Sequence, residues 1–133
     1  MAVLPLPLAL IACDHAWRDP NSAKWSILGA FSLADAPEFP AQFSEVAVYF
    51  ALTGAQGRIP IVIQIIDAAE ALPEPIASEG FQLEFNGPLA IIEDAIVLHE
   101  VIFPFPGEYR LQLLARGNLI IERRIALTNP ARE

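Results

Sequence analysis

Apolar and polar residues alternate with a period of two along most of this chain, as they do in strands whose side chains point to opposite faces. Over 6–13, Leu6, Leu8, Leu10 and Ala12 alternate with Pro7, Ala9, Ile11 and Cys13, so both faces of a first strand are apolar. Arg18-Asp19-Pro20-Asn21-Ser22 is turn chemistry: proline fixes one dihedral, and Asn and Ser bond locally. A second strand is expected over 24–33, with Trp25, Ile27, Gly29, Phe31 and Leu33 on one face, and a loop over 34–42 with Pro37 and Pro40. Val46, Val48, Phe50 and Leu52 then alternate with Ala47, Tyr49, Ala51 and Thr53.

Thr53-Gly54-Ala55-Gln56-Gly57 reads as a hairpin connection into 58–67, where Ile59 to Ile66 are apolar on both faces and rich in β-branched residues. Pro60 cannot donate to a ladder, so it belongs at an edge, a strand start or a bulge. A polar loop holding Pro73 and Pro75 leads to Phe81, Leu83 and Phe85, which alternate with Gln82 and Glu84. Asn86-Gly87 marks a tight turn, followed by a short strand at 89–92 and a longer one at 95–103. Phe103-Pro104-Phe105-Pro106-Gly107 breaks the chain before Tyr109, Leu111, Leu113 and Ala115. Gly117-Asn118 then turns into Leu119, Ile121, Arg123, Ile125 and Leu127, with residues 128–133 expected as a frayed tail. No segment has helical periodicity beyond a turn or two at 67–72. About eight strands spaced by Gly and Pro turns predict an all-β fold, an antiparallel β-sandwich over one domain, 1–133. An immunoglobulin-like strand order is one of the arrangements this leaves open.

Composition narrows the function classes. Of the 133 residues 54% are hydrophobic and 18% charged, the reverse of a disordered chain. The formal charge of −8 repels phosphate backbones and argues against nucleic acid as a partner. One cysteine makes no internal disulfide. No apolar run reaches the ~18 residues of a membrane span. Leu10-Ile11-Ala12-Cys13 matches the pattern at which bacterial lipoproteins are lipidated, but residues 1–13 carry no Lys or Arg and Pro5 and Pro7 interrupt the apolar run. The expectation is therefore a first strand with Cys13 as a small buried hydrophobe in a cytoplasmic protein, a lipid anchor through Cys13 being the alternative.

Cys13 through Lys24 to Phe31, together with Phe103-Pro104-Phe105-Pro106-Gly107-Glu108-Tyr109-Arg110 and the last hairpin, resembles a group of short bacterial proteins known only as a domain of unknown function. Gly107-x-Tyr109-x-Leu111 also resembles the strand entry of many immunoglobulin-like sandwiches. The resemblance implies a fold and carries no catalytic or ligand residues.

Chemistry-bearing residues are sparse. His15 and His99 are the two histidines, and a zinc site would need Cys13, Asp14, His15 and His99 to converge from separate strands. Strand alternation puts Cys13 and His15 on one face and Asp14 on the other. A nucleophile pair of Cys13 with His99 would require proximity across strands. Glu93-Asp94 and Asp67, Glu70 and Glu74 match no calcium-loop spacing. These residues give no catalytic set, no metal centre and no cofactor motif. Trp17, Trp25 or Tyr49 could serve as a stacking platform in a small-ligand or carbohydrate-binding module.

Two features exceed an ordinary domain. Strands at 6–12, 59–66 and 119–121 are apolar on both faces, so a loop, a crossing strand or another subunit must cover the second face. Charge is also segregated. No Lys or Arg lies between Arg58 and Arg110 while nine acids do, and Arg110, Arg116, Arg123, Arg124 and Arg132 fall in the last hairpin and tail. Pairing across neighbouring strands is the simpler reading, and steering of one subunit onto another the sharper one. The reading that follows is a non-catalytic module of the bacterial cytosol that self-associates, a dimer being favoured. Its interface candidates are Ile61, Ile63, Ile65, Leu119, Ile121, Arg123 and Arg124. A metal-dependent or Cys/His enzyme using Cys13, His15 or His99 is a further alternative.

Overall fold

The alternating segments form ten strands over residues 3–130, which the computed structural model describes: β1 (Leu6–Cys13), β2 (His15–Arg18), β3 (Trp25–Leu28), β4 (Leu33–Asp35), β5 (Ala41–Thr53), β6 (Gly57–Asp67), β7 (Ala77–Phe85), β8 (Ile92–Phe103), β9 (Gly107–Ala115) and β10 (Asn118–Thr128). One sheet has the order β1-β5-β8, the other β4-β10-β9-β6-β7, and β2 and β3 pair as a separate ribbon. Every pairing is antiparallel except that of β4, which runs parallel to β10. The inner faces of the two sheets meet in one core, to which Leu10, Phe50, Leu52, Ile63, Phe85, Phe103, Leu111 and Leu113 contribute. The all-β sandwich is as expected, with short strands added to the anticipated eight.

Four boundaries differ from the sequence reading. The strand expected over 24–33 is broken: β3 ends at Leu28, and Gly29 takes a φ of +69° where an added Cβ would lie 2.2 Å from Asp14 Oδ2. That left-handed turn, which only glycine adopts freely, releases the chain to cross between sheets and form β4. The expected loop at 34–42 therefore holds part of β4 and the start of β5. The segments at 89–92 and 95–103 are largely one strand, β8. Thr128, placed in the tail, closes β10 opposite Asp35, while residues 131–133 of that tail lie outside the described residues.

What covers the second apolar face is resolved by the ribbon. The outer face of the β1-β5-β8 sheet carries Cys13, Ala47, Tyr49 and Ala51, all buried. Trp25 of β3 packs edge-on against Tyr49 at 5.5 Å between ring centroids, and Ala16 and Ile27 share its half-buried side of the ribbon. A crossing strand pair, rather than another subunit, thus dries the middle of this sheet. At the far end of β1, Leu6 and Leu8 stay exposed.

On β6 the interface candidates Ile61, Ile63 and Ile65 are corrected by their position. They are 1%, 0% and 0% exposed and point into the core, because the inward side of this strand holds its odd-numbered residues. The outer side holds Pro60, Val62, Gln64 and Ile66, and the 68–76 loop borders a groove with Gln64 and Ile66. Asp67 fastens that loop, its carboxylate accepting the amides of Ala69 and Ala71 at 3.1 and 2.9 Å.

The Phe103–Gly107 break is a corner tied by Tyr109. Its hydroxyl donates to Phe105 O at 2.6 Å and accepts from Phe105 N at 3.3 Å, and the Phe105 ring stacks on it. Replacing Tyr109 with Phe is expected to cost about 1–3 kcal/mol, since it strands buried backbone groups. Ile63→Ala should cost about 2–5 kcal/mol as a core truncation. Ile63→Asp should unfold the chain outright. Denaturant titration followed by circular dichroism measures all three.

Candidate functional site

The middle of each apolar face is covered inside the chain, while Leu6, Leu8, Val97 and Ile102 stay exposed, and the remaining hydrogen-bonding surface is found at the sheet edges. β10 has eleven residues, and β4 pairs with three of them, Ala126, Leu127 and Thr128. Ala126 N donates to Ser32 O at 2.8 Å on that side. By strand alternation the backbone groups of Glu122 and Arg124 aim the same way, where the sheet ends. Residues 119–124 thus have no strand hydrogen-bonded to them on this side, although β1 and Ala30–Ser32 lie beside Arg123 and Arg124. Leu33–Asp35 is too short to show periodicity, so the partial cover leaves no signal in the sequence.

Side chains on this edge divide by face. Ile121, Arg123 and Ile125 have the inward parity, opposite Leu113, Leu111 and Tyr109 of β9. Ile121 is half-buried, but Arg123 stands at the open seam between the sheets and is exposed. It lines a cavity of about 120 Å³ together with Leu10, Ile11, Phe31, Ser32 and Ile125. No carboxylate lies within ion-pair distance of Arg123 among the described residues. Leu119, at the start of the strand, is 49% exposed.

The outward parity is spent on a polar ladder across three strands. Gln64 of β6 donates to Gln112 of β9 at 2.8 Å, and Gln112 donates to Glu122 of β10 at 3.0 Å. Arg110 pairs with Glu122 at 3.0 Å and with Glu108 at 3.7 Å, and Arg124 pairs with Glu108 at 2.6 Å. The arginines of the last hairpin are thus partly neutralised by their strand neighbours. Arg124, an interface candidate, is committed in this way, whereas Arg123 is not.

The proposed catalytic and metal residues are kept apart. Cys13 is fully buried and its thiol donates to Ala47 O at 3.6 Å. Burial, and then Asp14, push the thiol's pKa above its ordinary value, which suppresses the thiolate. The bend at Asp14 ends β1, so Cys13 is buried on the outer face of its sheet while His15, expected on the same face, is exposed on β2. His99 lies on β8 beside Glu45, at 3.8 Å, with β5 standing between it and β1. Glu93 accepts the Tyr49 hydroxyl, Asp94 accepts the Ala95 amide, and Asp67 is occupied by its own loop. Among the described residues no group of three or more His, Cys, Asp or Glu side chains can hold a metal ion. The aromatic platform is divided too. Trp25 and Tyr49 are turned toward each other under the ribbon, and Trp17 faces solvent on its opposite side.

These features define a class: an all-β sandwich in which one strand, β10, is covered by a strand partner only at its end and carries an unpaired arginine. No helix among the described residues is long and apolar enough to cross a membrane. The chain belongs to a family of unknown function, DUF6941, whose model matches residues 8–128. This bears out the resemblance carried by Cys13 to Phe31 and Phe103 to Arg110. No curated protein matches the chain. Among solved structures it is similar to the Pseudomonas fluorescens alkylpurine DNA glycosylase AlkC bound to DNA containing an abasic site analog, at 16% identity and a TM-score of 0.43. The match covers 72% of this chain and 27% of that one, and likeness at this level carries no functional argument.

One titration reports on the covered face. Burial, with the Glu93 carboxylate, pushes the Tyr49 hydroxyl up to about 12 from its ordinary 10. Tyr109 is raised as well, chiefly by burial. The folded state holds these protons where the unfolded chain releases them. Their contribution to stability is therefore complete below pH 10 and is lost as pH rises toward about 12. Phenolate absorbance is expected to lag a free-tyrosine titration and to rise together with loss of the strand circular dichroism signal.

Proposed function

We propose that this chain is a non-catalytic interaction module of the bacterial cytosol that self-associates by strand pairing at the β10 edge. The observation that carries this reading is the three-residue cover that β4 provides on an eleven-residue strand. An open strand edge offers a row of donors and acceptors that another strand completes, with side chains adding specificity. Leu119 and Ile121 supply apolar area on this edge and Arg123 supplies an unpaired charge. The sandwich expectation of immunoglobulin-like order is part of the same reading. The orders β1-β5-β8 and β4-β10-β9-β6-β7, the crossing of the chain between sheets before β4, and the tyrosine corner support it.

Light scattering coupled to size-exclusion chromatography over a hundredfold range of concentration tests this. The expected result is a mass that rises above one 14.5 kDa chain with concentration. Arg124→Pro removes the edge-directed N–H while leaving the β9 side of the ladder intact. This variant should remain a monomer with a melting transition close to that of the parent. A parent that is monomeric throughout would overturn the reading.

A further inference from the structure

We propose that the strand seated on the β10 edge is β7 of a second copy, joined head to tail, so that each interface brings together opposite edges of the same five-stranded sheet. This rests on the self-association reading and names its partner surface.

The argument starts from Arg123. A charge with inward parity on an edge strand normally protects that edge. An apolar strand docking there would leave a guanidinium stripped of water with no counter-charge. The edge therefore rejects strands in general and accepts one that brings a carboxylate of the same parity. Two copies of β10 paired about a two-fold axis fail this condition. Inward residues meet inward residues, and on β10 these are Ile121, Arg123 and Ile125. Arg123 would then meet an apolar side chain or another Arg123, while Glu122 lies on the outward face with its bonds to Arg110 and Gln112.

The far edge of the sheet meets the condition. Among the described residues β7 pairs with β6 alone, so no strand hydrogen-bonds its other side, although β8 of the opposite sheet lies alongside it. Its inward parity, read from the pairs Ile63 with Glu79 and Ile61 with Phe81, places an acid among apolar residues just as β10 places a base. Glu79 is exposed and has no cation at ion-pair distance among the described residues. Its neighbours Ser78 and Gly80 are small, so little stands in the way of an approaching backbone.

Strand directions agree as well. β10, β9, β6 and β7 alternate, so β7 and β10 of one chain run oppositely, and a second copy related by head-to-tail displacement brings them together antiparallel. With Arg123 opposite Glu79 of the partner subunit, Ile121 lies opposite the partner's Phe81, and both of these are half-buried in the isolated chain. The apolar pair extends the core across the junction and the ion pair closes over it at the seam cavity. Because the two surfaces differ, the contact is heterologous. It leaves a free β10 at one end and a free β7 at the other, so growth does not stop at a closed dimer.

Sedimentation velocity at low salt on the full chain, with Arg123→Glu, Glu79→Arg and their equimolar mixture, tests the pairing. Both side chains are exposed, and a thermal melt checks that each variant is folded. The expected result is species beyond a dimer for the parent, a tenfold or larger loss of association for each single reversal, and recovery in the mixture. Recovery is expected because every junction there again joins opposite charges. Folded single variants that associate like the parent would overturn the β7–β10 pairing while leaving self-association standing. Failure of the mixture to recover would do the same. A parent that stays a single chain at every concentration would overturn self-association and this pairing together.

Discussion

The whole arrangement depends on burying both faces of β5. Residues 46–52 are buried without interruption, although their side chains alternate between two sides of the sheet. Val46, Val48, Phe50 and Leu52 face the opposite sheet, and Ala47, Tyr49 and Ala51 face outward. An antiparallel sheet normally leaves that outward side wet. Here the ribbon of β2 and β3 lies over it, and the small side chains of Ala47 and Ala51 give the ribbon room to approach. Tyr49 is the one large residue in this layer, and its hydroxyl finds Glu93 so that burial does not strand a polar group. Cys13 belongs to the same layer, and its burial there is the main reason its thiol pKa lies above the ordinary value.

The strands that end the sheets are unequal. β8 pairs with β5 alone, but Glu100 adopts a φ of +53° within it, a local irregularity that spoils a flat edge, and Glu93, Asp94 and His99 add charge. β1 is interrupted by a register shift between Pro7 and Ala9. In the larger sheet β7 is one outer strand and β10 is covered by β4 only at its end, with a register shift of its own between Leu119 and Ile121, and each carries one charge of inward parity. Opposite signs at opposite edges turn protective charges into complementary ones. The cross-strand ladder of Gln64, Gln112, Glu122, Arg110, Glu108 and Arg124 stiffens the sheet between them.

How far the sequence discloses this follows from length scales. Alternation over seven or more residues is legible, so β1, β5, β6, β9 and β10 stand near their expected places. β2 has four residues and β4 three, too few for a period to register, and a Gly29 turn splits what reads as one strand. Local pattern also cannot say which of two apolar faces is core. Ile61, Ile63 and Ile65 look like an interface only until β7 and β9 are seen on either side of β6 and the second sheet beneath it. The edge at 119–124 was among the candidates because its apolar and basic residues are visible in sequence. Its openness was not, because that depends on where a three-residue strand from ninety residues earlier happens to end.

Hydrogen–deuterium exchange followed residue by residue at low and high protein concentration addresses the central claim most directly, that β5 is sealed and the β10 edge is open and fills on association. In dilute solution the amides of Val48 and Phe50 should exchange slowly and those of Glu122 and Arg124 quickly. At high concentration Glu122 and Arg124 should become protected while β5 is unchanged. Amides of Glu122 and Arg124 that are already protected when dilute, or that stay fast when concentrated, would contradict the account.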